Sequence, residues 1–408
     1  MVSHKYLSLL PAIIVSALGY FVDLYDLLLF SVVRTTSLAD LGVGKDNILN
    51  VGLNLLNWML IGMMSGGIVW GILGDKKGRL SVLFGSILIY SVANFLNGYA
   101  ISVDQYRVLR FVSGFGLAGE LGAGVTLISE LMKPQKRGYG IMLVTAVGMF
   151  GAAFAAYIGQ HYDWRFAYKL GGAMGSVLLF LRISVKESSV FKNAMAKEVT
   201  RGNFLNLITR KHQAFKFAKL IILGLPIFFV IGILVTSTLE FAKEFGLQTL
   251  PATGIAVMVT YISISIGDIL CTVVSQALRS RKKAVLIFLL VTLFGILFYL
   301  FYPVTSPFGY YIKCALLGIG VGYLSILVTF VAENFGTNNR ATATIAAPNF
   351  IRGLLPIAIS PVFLFLKPSL GLINSAAVVG IVSVIIPLIT LLFLEERFGI
   401  HLDWTDSF

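Results

Sequence analysis

Asp23 and Asp26 stand three residues apart in the run Gly19-Tyr20-Phe21-Val22-Asp23-Leu24-Tyr25-Asp26, inside an apolar stretch long enough to cross a membrane. On a helix that spacing puts both carboxylates on one face. An ionised side chain at mid-bilayer costs at least about 2.5–3.5 kcal/mol on insertion scales unless it is paired or wet. Two carboxylates this close in a low-dielectric cavity repel, and a carboxyl group titrating near neutral pH can carry a proton. Basic residues lie in other apolar stretches: Arg110, able to pair with Asp26 across a central cavity, and Arg352, whose guanidinium needs a carboxylate partner or a carboxylate ligand. Asn57, Glu120, Tyr261, Asp268, Tyr323 and Asn349 complete the candidate substrate-binding set with Arg110 and Arg352, and Lys313 is a further buried-cation candidate. The chemistry this predicts is proton uptake and anion recognition without bond making. No nucleophile or metal constellation appears, so no enzyme, cofactor or metal is expected, and without a P-loop signature ATP does not drive the process.

The elements that must hold these residues are membrane helices. With 57% hydrophobic and 12% charged residues over 408 positions, the chain reads as an all-α polytopic membrane protein. At roughly 20 residues per crossing, twelve stretches fit, near 10–33, 49–73, 81–99, 105–131, 139–160, 166–184, 220–240, 252–278, 284–302, 308–332, 341–366 and 371–394. The first is too long for a cleaved signal peptide and carries two aspartates, so it reads as a retained helix.

The net charge of +13 is a topology signal. With the amino terminus inside, loops rich in lysine and arginine, such as 76–79, 133–137, 186–219 and 279–283, all fall on one side, while the other side keeps only Arg34, Lys45, Arg165, Lys243 and Lys367. That asymmetry predicts an inner or plasma membrane location with both termini in the cytoplasm, a lipid bilayer as the surroundings and no nucleic-acid partner. Arg107 reads as snorkelling to the outer surface and His161 as part of an outer interfacial anchor. Cys271 and Cys314 lie in apolar helices and imply no disulfide.

The mixed-charge stretch 185–219 separates two groups of six helices, giving an N-terminal bundle over 1–184, a cytoplasmic linker over 185–219, a C-terminal bundle over 220–396 and a cytoplasmic tail over 397–408. The halves repeat. Gly114 and Gly116 precede Glu130 and Arg137, as Gly318 and Gly320 precede Glu333 and Arg340, with the same Glu-to-Arg spacing. Between the second and third stretches, Gly71-Ile72-Leu73-Gly74-Asp75-Lys76-Lys77-Gly78-Arg79 packs charge into a short loop. Asp75 there can accept hydrogen bonds from the start of a facing helix, while Lys76 and Arg79 can pair with carboxylates such as Glu130. The counterpart at 275–283 keeps basic residues but has lost the aspartate and glycines.

The pattern G-x-x-x-D-[RK]-x-G-R of that loop, with Leu80 where a basic residue is usual, resembles the loop between helices 2 and 3 of the major facilitator superfamily. The segment from Arg110 to Val125, running on to Glu130 and Lys136-Arg137-Gly138, is similar to the fourth helix of the metabolite:proton symporters and sugar porters. Lys186-Glu187-Ser188-Ser189-Val190-Phe191 resembles their E-[ST]-P-x-[FW] sequence, Leu394-Glu395-Glu396-Arg397-Phe398-Gly399 their E-T-x-G ending, and the run ending in Asp26 the E-W-Y-D of the symporters. The resemblance implies twelve transmembrane helices in two pseudo-symmetric six-helix bundles that rock about a central site. It also implies a proton switch in which protonated Asp26 releases Arg110. Gly71, Asp75, Lys76, Gly78, Arg79 and Glu130 with Arg137, and Glu333 with Arg340, would then close the cytoplasmic side. The expected function is a secondary active transporter, a monomer carrying a small polar metabolite such as an organic or amino acid by proton symport. Proton-coupled export of a drug or carboxylate-bearing metallophore, and a non-transporting membrane sensor, are the alternatives.

Overall fold

The structure, a computed structural model, describes residues 3–184, 187–188, 190–191 and 201–406, and among these it is helical with no strand. Helices suit this composition because each satisfies its own backbone hydrogen bonds where no water is available. In chain order they are α1 (Ser3–Asp40), α2 (Ile48–Lys77), α3 (Arg79–Asn97), α4 (Val103–Leu117), α5 (Glu120–Leu131), α6 (Arg137–His161) and α7 (Trp164–Leu181), then α8 (Phe204–Thr209), α9 (Lys211–Ile222), α10 (Leu225–Phe229) and α11 (Thr238–Glu244). They close with α12 (Thr253–Ala277), α13 (Arg281–Phe301), α14 (Pro307–Gly320), α15 (Leu324–Asn334) and α16 (Arg340–Leu392). Side-chain caps set several starts: Ser102 accepts from Gln105 N for α4, and Ser306 accepts from Gly309 N at the matching place before α14.

Among the described residues, ten segments are long and apolar enough to cross a membrane. The 53-residue α16 is two crossings, because Gly371 breaks it at φ 76°, a left-handed conformation that favours glycine. The 18-residue α7, packed along α3, supplies the twelfth crossing. The fourth and tenth crossings are each interrupted, α4 from α5 and α14 from α15, and the seventh runs through α9, α10 and a π-helical turn at Val230–Val235.

Residues 185–186, 189 and 192–200 of the expected linker, with Lys186 and Ser189, lie outside the described residues, and the helix entering the second bundle starts at Lys211 rather than near 220. Its lysines have structural partners: Lys216 Nζ donates to Asn334 O at the end of α15 (2.8 Å) and Lys219 Nζ to Phe393 O at the end of α16 (3.2 Å). Cations at helix C-termini complement the exposed carbonyls and the helix dipole.

The halves meet where α2 and α5 pack on α16 and where α6 packs on α12 and α15. Large apolar side chains such as Phe150, Phe180, Phe294 and Phe365 point outward, where lipid replaces water. The polar and charged residues with no such outlet are collected inside, at mid-depth and at the end bearing the basic loops.

Candidate functional site

At mid-depth, α1 and the first half of α16 bring Asp23 and Arg352 together across the two halves. Arg352 Nη1 donates to Asp23 Oδ2 at 3.1 Å and Nη2 to the Tyr20 hydroxyl at 3.1 Å, and the guanidinium lies 5.6 Å from the Tyr20 ring centroid. Asp23 Oδ1 has no hydrogen-bond partner among the described residues. This pair stands at the wall of a central cavity lined by Tyr20, Met149, Phe228, Tyr261, Leu324 and Arg352 among others, with room of about 40 Å³. That is space for a few waters at most, whereas sites that enclose a small ligand run to about 300 Å³ or more. The cavity is closed down on an ion pair whose two members belong to different halves.

One turn along α1, Asp26 faces its own half. Arg110 Nη1 reaches Asp26 Oδ1 at 3.2 Å and Oδ2 at 3.4 Å, and both residues are fully buried. The guanidinium is boxed by the Phe30 ring (5.1 Å), the Tyr168 ring (5.7 Å) and the Met59 sulfur, while the Tyr106 and Tyr168 hydroxyls bond to each other at 2.6 Å. A proton added to Asp26 would leave Arg110 buried and uncompensated, which is a strong force for rearrangement.

At the basic end, charged side chains tie the halves together in two pseudo-equivalent clusters. Glu130 Oε1 accepts from Arg79 of its own half (2.8 Å) and from Arg340 of the other (3.0 Å). Glu333 is held by Arg281 of its own half (3.0 Å) and by Arg137 of the other (3.7 Å). Each inner arginine lies over a phenylalanine, Arg79 over Phe191 and Arg281 over Phe398, both at 4.7 Å. Glu187 accepts from Leu80 N at the start of α3 (3.0 Å), as Glu396 accepts from Arg281 N and Lys282 N at the start of α13 (both 3.1 Å). The symmetry stops at Asp75, whose carboxylate takes Ala341 N (3.0 Å), Thr342 N (2.8 Å) and Thr342 Oγ1 (2.7 Å) and so caps α16 from the opposite half. Gly71 permits this approach, since a Cβ there would lie 2.8 Å from Thr342 Cα. Gly78, at φ 100°, makes the turn between α2 and α3.

The family model for the Major Facilitator Superfamily matches residues 9–361 of this fold. The chain belongs to that superfamily. A protein of Haemophilus influenzae named as a metabolite transport protein is 29% identical over 96% of this chain and 97% of its own length. One of Bacillus subtilis named as a niacin/nicotinamide transporter is 34% identical over 34% of this chain and 36% of its own. A solved structure of the proton:xylose symporter XylE aligns with a TM-score of 0.75 over 98% of this chain and 99% of that one, at 16% identity, which speaks of the fold. The twelve helices in two pseudo-symmetric bundles are therefore the major facilitator fold, and this superfamily member is a multi-pass membrane transporter rather than an enzyme.

Several residues expected at the site stand elsewhere. Arg110 meets Asp26 inside the N-terminal bundle instead of across the central cavity, because the face of α1 carrying Asp26 packs against α4 and α7. Asn57 is on the exposed face of α2. Glu120 is committed to Arg182 and the Ser86 hydroxyl. Tyr323 donates to Leu223 O (2.9 Å) and Asn349 to Ala118 O across the halves (2.8 Å), so both serve packing. Asp268 holds Ser325 N (2.8 Å) and Thr145 Oγ1. Of the expected substrate set, Tyr261 and Arg352 line the cavity.

The basic end also departs from expectation. Lys76 is exposed and makes no ion pair with a described residue. Glu130 takes Arg340, and Glu333 takes Arg137, so the repeated Glu-to-Arg units exchange partners between halves instead of pairing within them. Sequence reasoning missed Arg182 and Arg281 as partners, and it missed the segment from Ile400 to Asp406, whose carbonyls accept from Arg137 and Arg340 (2.7 Å each). Their only sequence signal was an acidic residue needing a partner.

Two substitutions separate cap from charge. Asp75→Ala is expected to lower stability by about 0.5–2 kcal/mol, the usual cost of a lost N-cap, whereas Lys76→Ala stays within about 0.5 kcal/mol. Thermal unfolding of the purified protein in one detergent compares them; equal shifts would refute the capping role.

Proposed function

We propose that this transporter imports a small monocarboxylate together with protons across the inner or plasma membrane, acting as a monomer with the basic end in the cytoplasm. The observation that carries the reading is the Arg352 to Asp23 pair, which joins the halves at the cavity wall. A substrate carboxylate can replace Asp23 on Arg352 with two parallel hydrogen bonds, and the walls offered by Tyr20, Phe228, Tyr261 and Met149 suit a flat or apolar body. The niacin name of the Bacillus subtilis relative fits such a ligand, and the proton symport of XylE fits the coupling.

Asp26 and Arg110 supply the proton switch. Protonated Asp26 no longer holds Arg110, and the strain is relieved by moving α1 against α4, which carries Asp23 with it on the same helix. Substrate binding at Arg352 and proton binding at Asp26 thus act on one element. The lysine- and arginine-rich loops on the end closed by Glu130 and Glu333 support its cytoplasmic placement.

Nicotinate uptake into proteoliposomes under an acid-outside gradient tests this. Wild type is expected to accumulate nicotinate and to lose accumulation when the gradient is collapsed. Asp26→Asn is expected to keep nicotinate exchange while losing gradient-driven accumulation at least tenfold. Accumulation that is indifferent to the gradient, or unaltered in Asp26→Asn, would sink the coupling.

A further inference from the structure

Asp268 is a fully buried carboxylate in a membrane-crossing helix that makes no ion pair with any described residue. Asp23, Asp26, Asp75, Glu120, Glu130 and Glu333 are each held by an arginine; Asp268 is held by neutral donors alone. It sits on the inner half of α12, at the seam between the bundles. Its Oδ1 accepts from Ser325 N in the first turn of α15, at 2.8 Å, and its Oδ2 meets the Thr145 hydroxyl of α6, in the opposite half. Beside this contact, Ser265 Oγ also crosses the seam to Ala146 O at 3.0 Å.

The surroundings offer no compensating charge. On α12 the other titratable groups are Tyr261 and Cys271, and α14 with the break after it adds Tyr310 and Tyr311 near its start, then Cys314 and Tyr323. Of the charged groups on α6, α13 and α15, Arg137, Arg281 and Glu333 are paired with one another at the basic end, Lys282 and Lys283 follow Arg281 at that same end of α13, and His161 lies at the far end of α6. Lys313 of α14 and Glu240, Lys243 and Glu244 of α11 sit toward the opposite end. An anion left here would rest on two hydrogen bonds and a helix start, in a place where an unpaired charge costs several kcal/mol.

Thr145 makes a proton easy to house. Besides Asp268, its hydroxyl has Ile141 O at 3.2 Å and Met142 O at 3.1 Å as acceptors. When Asp268 carries a proton on Oδ2, it donates to Thr145 Oγ, and the threonine proton turns to its own helix. When Asp268 is ionised, the threonine donates instead.

We propose that Asp268 is a second proton-carrying group, protonated while the α6 to α12 seam is closed. The proton leaves to water when the basic end opens and Thr145 withdraws. The balance is simple: one proton enters the carboxylate from the side that last wetted it, and the same proton goes to the water that next reaches it. This adds a second proton site to the proton-coupled reading above, and its test does not depend on transport.

Infrared spectra of the purified full-length protein at neutral pH, in H2O and in D2O, read the protonation state directly. Wild type is expected to show an isotope-sensitive C=O band of a protonated carboxyl that Asp268→Asn removes and Asp26→Asn retains. A band that survives in Asp268→Asn, or no such band in wild type, overturns the proposal. Where Asp268→Asn fails to fold, Thr145→Val decides: the band is expected to shift in frequency as its hydrogen bond is lost, and an unmoved band overturns the assignment. If nicotinate uptake still follows the proton gradient in Asp26→Asn while the Asp268 band is present, the Asp26 coupling reading fails and this one stands.

Discussion

Arg352→Ala is expected to abolish measurable nicotinate uptake, with the apparent affinity falling by roughly two to three and a half orders of magnitude. Removing one member of a buried charge pair costs about 3–5 kcal/mol, and each 1.4 kcal/mol is about tenfold in affinity. Two losses coincide here: the proposed substrate carboxylate loses the one cation that lines the cavity among the described residues, and Asp23 loses its described cationic partner. Arg352→Lys restores charge but not the two-pronged geometry, so it should recover only part of the affinity. Asp23→Asn works in the opposite direction. On the proposed reading Asp23 competes with the substrate for Arg352, so its neutralisation should tighten nicotinate binding while slowing turnover, since the empty carrier can no longer reform the pair that closes the cavity. Opposite signs for binding in Arg352→Ala and Asp23→Asn, read by ligand-induced thermal stabilisation, are the signature of competition. Unchanged affinity in Arg352→Ala, or a loss in both, removes the anion-anchor role.

How much of this was legible in the sequence depends on what kind of fact is asked for. The twelve crossings were, because apolar length is a property of the chain alone; the stretches read at 139–160 and 252–278 became helices at Arg137–His161 and Thr253–Ala277. The start of α9 was not, because Lys211, Lys216 and Lys219 read as a solvated linker when two of them in fact reach the ends of neighbouring helices. Pairing needs were legible from cost. An intramembrane Asp26 and Arg110 each demanded a partner, and they found each other.

Direction was not legible. Three residues apart on one helix, Asp23 and Asp26 share a broad face, yet one points to the other half and one into its own. That depends on how α1 is rotated against α4, α6 and α7, which no linear spacing encodes. The exchange of Glu130 and Glu333 between halves was hidden for the same reason. A repeat shows that two units are alike, and only packing shows that each unit completes the other. Arg281 is hidden in the sequence because aligning the 71–79 loop with 275–283 sets Lys283 at the place of Arg79, whereas the structure puts Arg281 over Phe398 as Arg79 lies over Phe191.

Glu130→Gln is expected to be the most damaging single change at the basic end, costing about 3–5 kcal/mol and opening that end. Arg79 and Arg340, both fully buried, share Glu130 as their close carboxylate, and Asp75 approaches only Arg79, at 3.5 Å. Glutamine keeps the shape but leaves two guanidinium groups in want of charge. Arg340→Met alone removes one of the two and also frees the Leu402 carbonyl it binds. The double variant Glu130→Gln with Arg340→Met should therefore be less destabilised than the two single effects added together, by at least about 1 kcal/mol of coupling. Hydrogen exchange locates the effect. In Glu130→Gln, protection should fall in residues 71–79 and at the start of α16, where the Asp75 cap joins the halves, while the α3 to α7 contact inside the N-terminal bundle keeps its protection. Strict additivity in the cycle would mean that Glu130 and Arg340 are neighbours without being partners. Loss of protection throughout the N-terminal bundle would mean that Glu130 serves folding of its own half and not the closure between halves.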